Sequence, residues 1–97
     1  VAIRHLPQRS PWVKQMVNMN AILFAHGLIE GVCHRHGVTV SELKSLSRKG
    51  ALTKARRDII VYLRDKVGFS FPAIGVLINR DHSTVIRIYE REKGHDH

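Results

Sequence analysis

Ninety-seven residues suffice for one modest hydrophobic core and are too few for two, so the chain is expected to form a single domain. Sixteen lysines and arginines against eight acids leave a net charge of +8 before the seven histidines are counted, which makes a polyanion the natural partner. Cys33 is the only cysteine and excludes an internal disulfide, and no apolar run approaches the roughly 20 residues of a membrane span. The first residues carry no signal-peptide pattern, so a cytoplasmic protein without membrane contact is the expectation.

Residues 1 to 10 have no periodicity and read as a lead-in. Ser10-Pro11 then forms a cap followed by proline at the first helical position, where a missing N–H costs nothing. Val13, Val17, Ala21, Phe24, Leu28 and Val32 follow at spacings of three and four, one apolar stripe running to about His36. Gly27 and Gly31 weaken a single rod, and two helices meeting near Asn20 or Gly27 fit equally well. Gly37 supplies a left-handed stop.

Thr39-Val-Ser-Glu42 is a capping box that opens a short helix through Leu43 and Leu46. Ser47 to Ala51 is polar, basic and broken by Gly50, so a loop is expected there. Thr53 is the next cap candidate, for a helix whose Ala55, Ile59, Leu63 and Val67 share a face and which Gly68 ends. Ser70 caps another helix with Pro72 in its first turn and Ala73, Ile74, Leu77 and Ile78 inward. Asn79 tolerates a left-handed backbone and makes a turn, and Asp81 caps a last helix that carries Val85, Ile88 and Tyr89 inward. Two short helices joined by a tight turn are a helix-turn-helix. No period-two pattern occurs, so the fold class is all-α: a small helical bundle with a C-terminal helix-turn-helix, preceded by an extra N-terminal helix.

The charge is not spread evenly. Between Lys44 and Lys66 stand eight basic residues (Lys44, Arg48, Lys49, Lys54, Arg56, Arg57, Arg64, Lys66) and two acids, Asp58 and Asp65. Taken singly, most of these fit a solvated helix face; as a patch they fit a phosphate backbone.

Arg80-Asp-His-Ser-Thr-Val85 gathers an acid, an imidazole and two hydroxyls on the first turn of the last helix. In a helix-turn-helix the N-terminal residues of the second helix meet base edges in the major groove. A hydroxyl both donates and accepts, threonine adds a methyl for thymine C5, and imidazole reaches a purine acceptor or a phosphate. A catalytic triad needs side chains that converge, and neighbours on one helical turn diverge, so no catalytic residue is assigned. Cys33, His34 and His36 are at best a loose cluster without a zinc-site spacing, and His26, His34 and His36 read as surface or satisfied polar residues. No metal, cofactor or enzymatic activity is expected.

The stretch from about Leu28 to Lys93 resembles the C-terminal DNA-binding domain of the bacterial replication initiator DnaA, whose fold is Trp-repressor-like. The resemblance rests on Arg80-Asp-His-Ser-Thr-Val85, on Ser70-Phe-Pro-Ala-Ile-Gly75 and on Arg57-Asp-Ile-Ile-Val-Tyr-Leu63, in that family's order. It divides the chain into a lead-in with extra helix (1–27), the DNA-binding domain (28–93) and a tail (94–97). It implies specific binding of double-stranded DNA, with Asp81, His82, Ser83 and Thr84 reading bases and Pro72 near a base or the backbone. It also implies an arginine in the minor groove from the basic loop, which here runs from Arg48-Lys49 to Lys54-Arg56. Arg57, Arg80 and Arg87 complete the expected DNA-facing set. The family's usual aromatic and two small residues before the signature arginine are here only Ile78-Asn79, one residue shorter.

No GxxxxGK followed by Ser or Thr occurs, so the family's nucleotide switch is not expected of this chain. Either an excised domain or an independent small protein fits, acting in replication initiation or transcriptional regulation. A rival reading is an adaptor or antagonist of an initiator. A homodimer through the N-terminal stripe, with Trp12, Met16, Phe24 and Leu28, competes with ordinary core packing.

Overall fold

The computed structural model describes residues 19–94. The expected cap at Ser10, the start at Pro11, the stripe positions Val13 and Val17, and the tail from His95 lie outside the described residues. Among the described residues there are five α-helices and no strand: α1 (Met19–His36), α2 (Val40–Leu43), α3 (Gly50–Tyr62), α4 (Phe71–Ile78) and α5 (His82–Glu92). A π-helical turn, Leu63–Val67, extends α3.

α1 runs unbroken through Gly27 and Gly31, so no junction forms at Gly27. Its buried residues are Ala25, Ile29, Val32 and Cys33, whereas Phe24 is 50% exposed and Leu28 only packs at the core's edge. The inward stripe is therefore turned by about one residue from the expected Ala21, Phe24, Leu28, Val32 register. Ala21-Ile-Leu-Phe-Ala25 is apolar throughout, so periodicity does not choose a face there; packing against α3 does, and it takes the small Ala25. The packed unit also begins before Leu28. Gly37, at φ 70°, ends the helix, with the Val38 amide donating back to the Cys33 carbonyl at 3.0 Å.

The capping box at Thr39 forms in both directions: the Glu42 amide donates to Thr39 Oγ1 at 3.0 Å, and the Thr39 amide donates to Glu42 Oε1 at 2.9 Å. Leu43 is fully buried, but α2 stops there, short of the expected run through Leu46, and Leu46 stands 87% exposed. α3 starts at Gly50, three residues before the expected Thr53 cap, with Lys49 in the cap position. Thr53 lies inside the first turn and its hydroxyl donates to the Lys49 carbonyl. A glycine at the first helical position avoids most of its interior penalty, and Ala51 favours helix strongly.

α3 is the central helix, packed against α1, α2 and α5. Its Ala55, Ile59 and Ile60 join Leu63 of the π turn, Ile74 and Ile78 of α4 and Val85 of α5 in one core. Each large aliphatic buried there contributes on the order of 1.5–3 kcal/mol. Gly68, at φ 90°, closes the π turn.

The helix-turn-helix itself agrees with local chemistry. The Ala73 amide donates to Ser70 Oγ at 3.3 Å, α4 ends at Ile78, and Asn79 takes the left-handed conformation at φ 58°. Gly75 is required by the close approach of the turn: a Cβ there would collide with the Arg80 carbonyl oxygen. α5 is also tied to the π turn, where Asp65 accepts from the Tyr89 hydroxyl at 2.6 Å and from Lys93 Nζ at 2.8 Å.

Candidate nucleic-acid interface

Asp81 caps α5 by accepting from the Ser83 amide at 3.0 Å, and the Ser83 hydroxyl donates to the same carboxylate oxygen. The hydroxyl first, and the amide second, hold the Asp81 carboxyl below the usual carboxylate range. Asp81 and Ser83 thus engage each other across the first turn. His82 and Thr84 make no side-chain hydrogen bond among the described residues; His82 is exposed and Thr84 half-buried. Arg87 is exposed and lies one turn on from Ser83 and Thr84, so a basic residue extends the same helix face.

An open cleft separates α4 from the start of α5, lined by Pro72, Val76, Asn79, Arg80, Asp81 and His82, with Gly75 at its floor. Pro72 and Val76, four residues apart, form the α4 wall, and both are exposed. Pro72 was expected at this site and Val76 was not, although the spacing of four marks the pair.

The basic patch does not hold together as expected. Arg48, Lys49 and Lys54 are exposed. Arg56 is 5% exposed, and its guanidinium donates to four backbone carbonyls: Leu43 at 2.9 Å, Ser47 at 2.7 Å, Glu42 at 3.3 Å and Ser45 at 2.9 Å. With these donors turned onto the loop's carbonyls, Arg56 differs from the exposed Arg48, Lys49 and Lys54 of the same expected DNA-facing set. Burial first, and the neighbouring Arg80 charge second, press its pKa below the ordinary guanidinium value. Arg57 is half engaged as well, its Nε lying 3.4 Å from Glu92 and 3.8 Å from Asp58.

Arg80 behaves like Arg56. It donates to the Asn79 carbonyl at 2.9 Å and to the Ser45 carbonyl, while Asn79 Nδ2 donates to the Lys44 carbonyl at 3.1 Å. The loop from Lys44 to Lys49 is therefore fastened to the turn of the helix-turn-helix, and the exposed Arg48 and Lys49 hold a set position relative to α5. A signal for Arg56 was present in the sequence. It falls four residues after Leu52, three before Ile59 and four before Ile60, which is the buried stripe of α3.

No group of three or more His, Cys, Asp or Glu side chains suited to a metal ion occurs among the described residues, and no helix there is long and apolar enough to cross a membrane. The model of the bacterial DnaA protein helix-turn-helix family matches residues 26–91. The chain belongs to that family. It is 39% identical over 64 residues to the chromosomal replication initiator protein DnaA of Mycoplasma pneumoniae, and 36% identical over 64 residues to that of Mycoplasma genitalium. In each case the match covers 66% of this chain and 15% of the relative, so the chain spans a small part of those proteins' length. No solved structure gave a significant match.

Proposed function

We propose that the chain binds double-stranded DNA sequence-specifically, with the first turn of α5 in the major groove. Asp81, His82, Ser83 and Thr84 face base edges, Pro72 lies against a base or the backbone, and Arg87 meets phosphate further along α5. Arg48, Lys49 and Lys54 meet phosphates, with an arginine of that loop in the adjacent minor groove, as the family resemblance implies. One observation carries this reading: Arg56 and Arg80 fasten the basic loop to the turn that presents α5, so the two contact elements form one rigid reader. The net charge of +8 supplies the nonspecific attraction. Work in replication initiation fits the names of the relatives; transcriptional regulation through the same contacts fits the geometry equally. The chain reads DNA and catalyses nothing in this account.

Selection of bound sequences from a random duplex pool, followed by competition binding, tests the proposal. A recurring motif is expected, and a pool that emerges without sequence preference would refute specific reading.

A protein-partner role is favoured by one observation. Met19, Leu23 and Phe24 of α1 are each at least 50% exposed, and the Phe24 ring lies 6.3 Å from that of Tyr62, itself 41% exposed. Such a patch suits self-association through α1 or an adaptor contact. Sedimentation decides for or against the dimer, which predicts two DNA half-sites about one helical turn, or a multiple of it, apart.

A further inference from the structure

Apart from Pro72 in its first turn, α4 turns its apolar residues inward with one exception. Ile74 and Ile78 are fully buried and Leu77 packs at the core's edge, yet Val76 is 81% exposed. A single exposed valine is unremarkable by itself. Its surroundings are not ordinary: Val76 lies in the cleft between α4 and α5, beside Asp81 and His82 and one turn from Pro72.

Asp81 and His82 offer hydrogen-bonding groups to whatever enters that cleft, whereas Val76 offers only two methyls. Base edges in the major groove present donors, acceptors and one apolar feature, the C5-methyl of thymine. A valine held beside base-reading groups gains from burial against that methyl and gains nothing from the other edges. We propose that Val76 packs on a thymine C5-methyl and makes one position of the DNA site selective for thymine. The inference rests on the DNA-reading function proposed above.

The test uses the full chain and the selected DNA site, with each thymine replaced singly by uracil, which removes only the methyl. For the parent, uracil at one position should weaken binding about fourfold, the worth of one buried methyl. Val76→Ala should erase the difference between thymine and uracil at that position and leave sensitivity elsewhere unchanged. Because Val76 is exposed, its thermal melt should match the parent's. Thr84→Ser removes the other methyl able to reach thymine and should leave the Val76-dependent position untouched. Sensitivity that persists in Val76→Ala, or that disappears instead in Thr84→Ser, overturns the inference, as does a uniform loss of affinity at every position, which would place Val76 on the sugar-phosphate backbone. A selection without any preferred sequence would overturn the DNA-reading function and this inference together, so the two failures are distinguishable.

Discussion

Arg56 and Arg80 donate to the same acceptor, the carbonyl oxygen of Ser45, from positions 11 and 35 residues away in sequence. Two cations meet at one carbonyl because the end of α2 and the loop after it, from Glu42 to Ser47, turn several carbonyls inward and leave Arg48 and Lys49 facing solvent. Arg56→Met removes the donors from four carbonyls at once. It should cost at least about 2 kcal/mol in chemical denaturation, as expected when hydrogen bonds from a charged donor are removed. Arg48→Met should stay within about 0.5 kcal/mol of the parent.

The exposed cations should behave in the opposite way. Neutralising Arg48, Lys49 or Lys54 should weaken binding to every DNA sequence alike and lower the slope of log affinity against log salt by about 0.9 for each phosphate no longer neutralised. Filter binding or fluorescence anisotropy across a salt series measures the slope. An unchanged slope assigns the residue to plain solvation.

Glycines separate two kinds of position. Gly75→Ala forces a Cβ against the Arg80 carbonyl oxygen and should destabilise by about 1–3 kcal/mol, the usual range for overpacking. Gly31→Ala meets nothing within 4 Å in the body of α1 and should stabilise by up to about 1 kcal/mol. Thermal melts of the two variants should move in opposite directions.

Acid should loosen the α5 attachments. Lys93 first and Tyr89 second hold the Asp65 carboxyl below its ordinary value, as the Ser83 groups do for Asp81. A carboxylate with a folded-state pKa below its unfolded value contributes fully above that unfolded value, near 3.8 here, and loses the contribution as pH falls through the folded value. Melting temperature should therefore drop as pH is lowered below about 4. Asp65→Asn and Asp81→Asn should each show a shallower drop, the latter because asparagine still caps a helix without titrating.

Much of the fold is written in neighbouring residues. Thr39 and Glu42, Ser70 and Pro72, Asn79 and Asp81 each set a backbone bend through their own side chains or ring, so the helix ends around them were legible in the sequence. The features that were not legible depend on distant partners. Leu46 stands exposed in the loop beyond α2, whose Lys44 and Ser45 carbonyls accept from Asn79 and Arg80, more than 30 residues away. In the Arg56-Arg57 pair, adjacency suggests two equivalent cations; the apolar stripe of α3 marks the first as inward, whereas the position of the second beside Glu92 depends on a partner 35 residues away. The proposed site is the Arg80–Val85 cluster picked out in the sequence; the hydrogen bonds inside it, with Asp81 and Ser83 engaging each other and Arg80 holding the loop, required the geometry.

His82 and Thr84 are proposed to read bases, and the ratio of affinities for the selected site and for scrambled DNA measures that reading most closely. His82→Ala and Thr84→Ala leave the Asp81 cap in place, so both should fold with less than about 1 kcal/mol of stability removed. Each should narrow the affinity ratio by about 1 to 3 kcal/mol for every base it stops reading, with nonspecific affinity changing less. Asp81→Ala should in addition lose about 1 kcal/mol of folding stability through the cap. If His82→Ala and Thr84→Ala fold normally and keep the parent's ratio, the first turn of α5 does not read DNA.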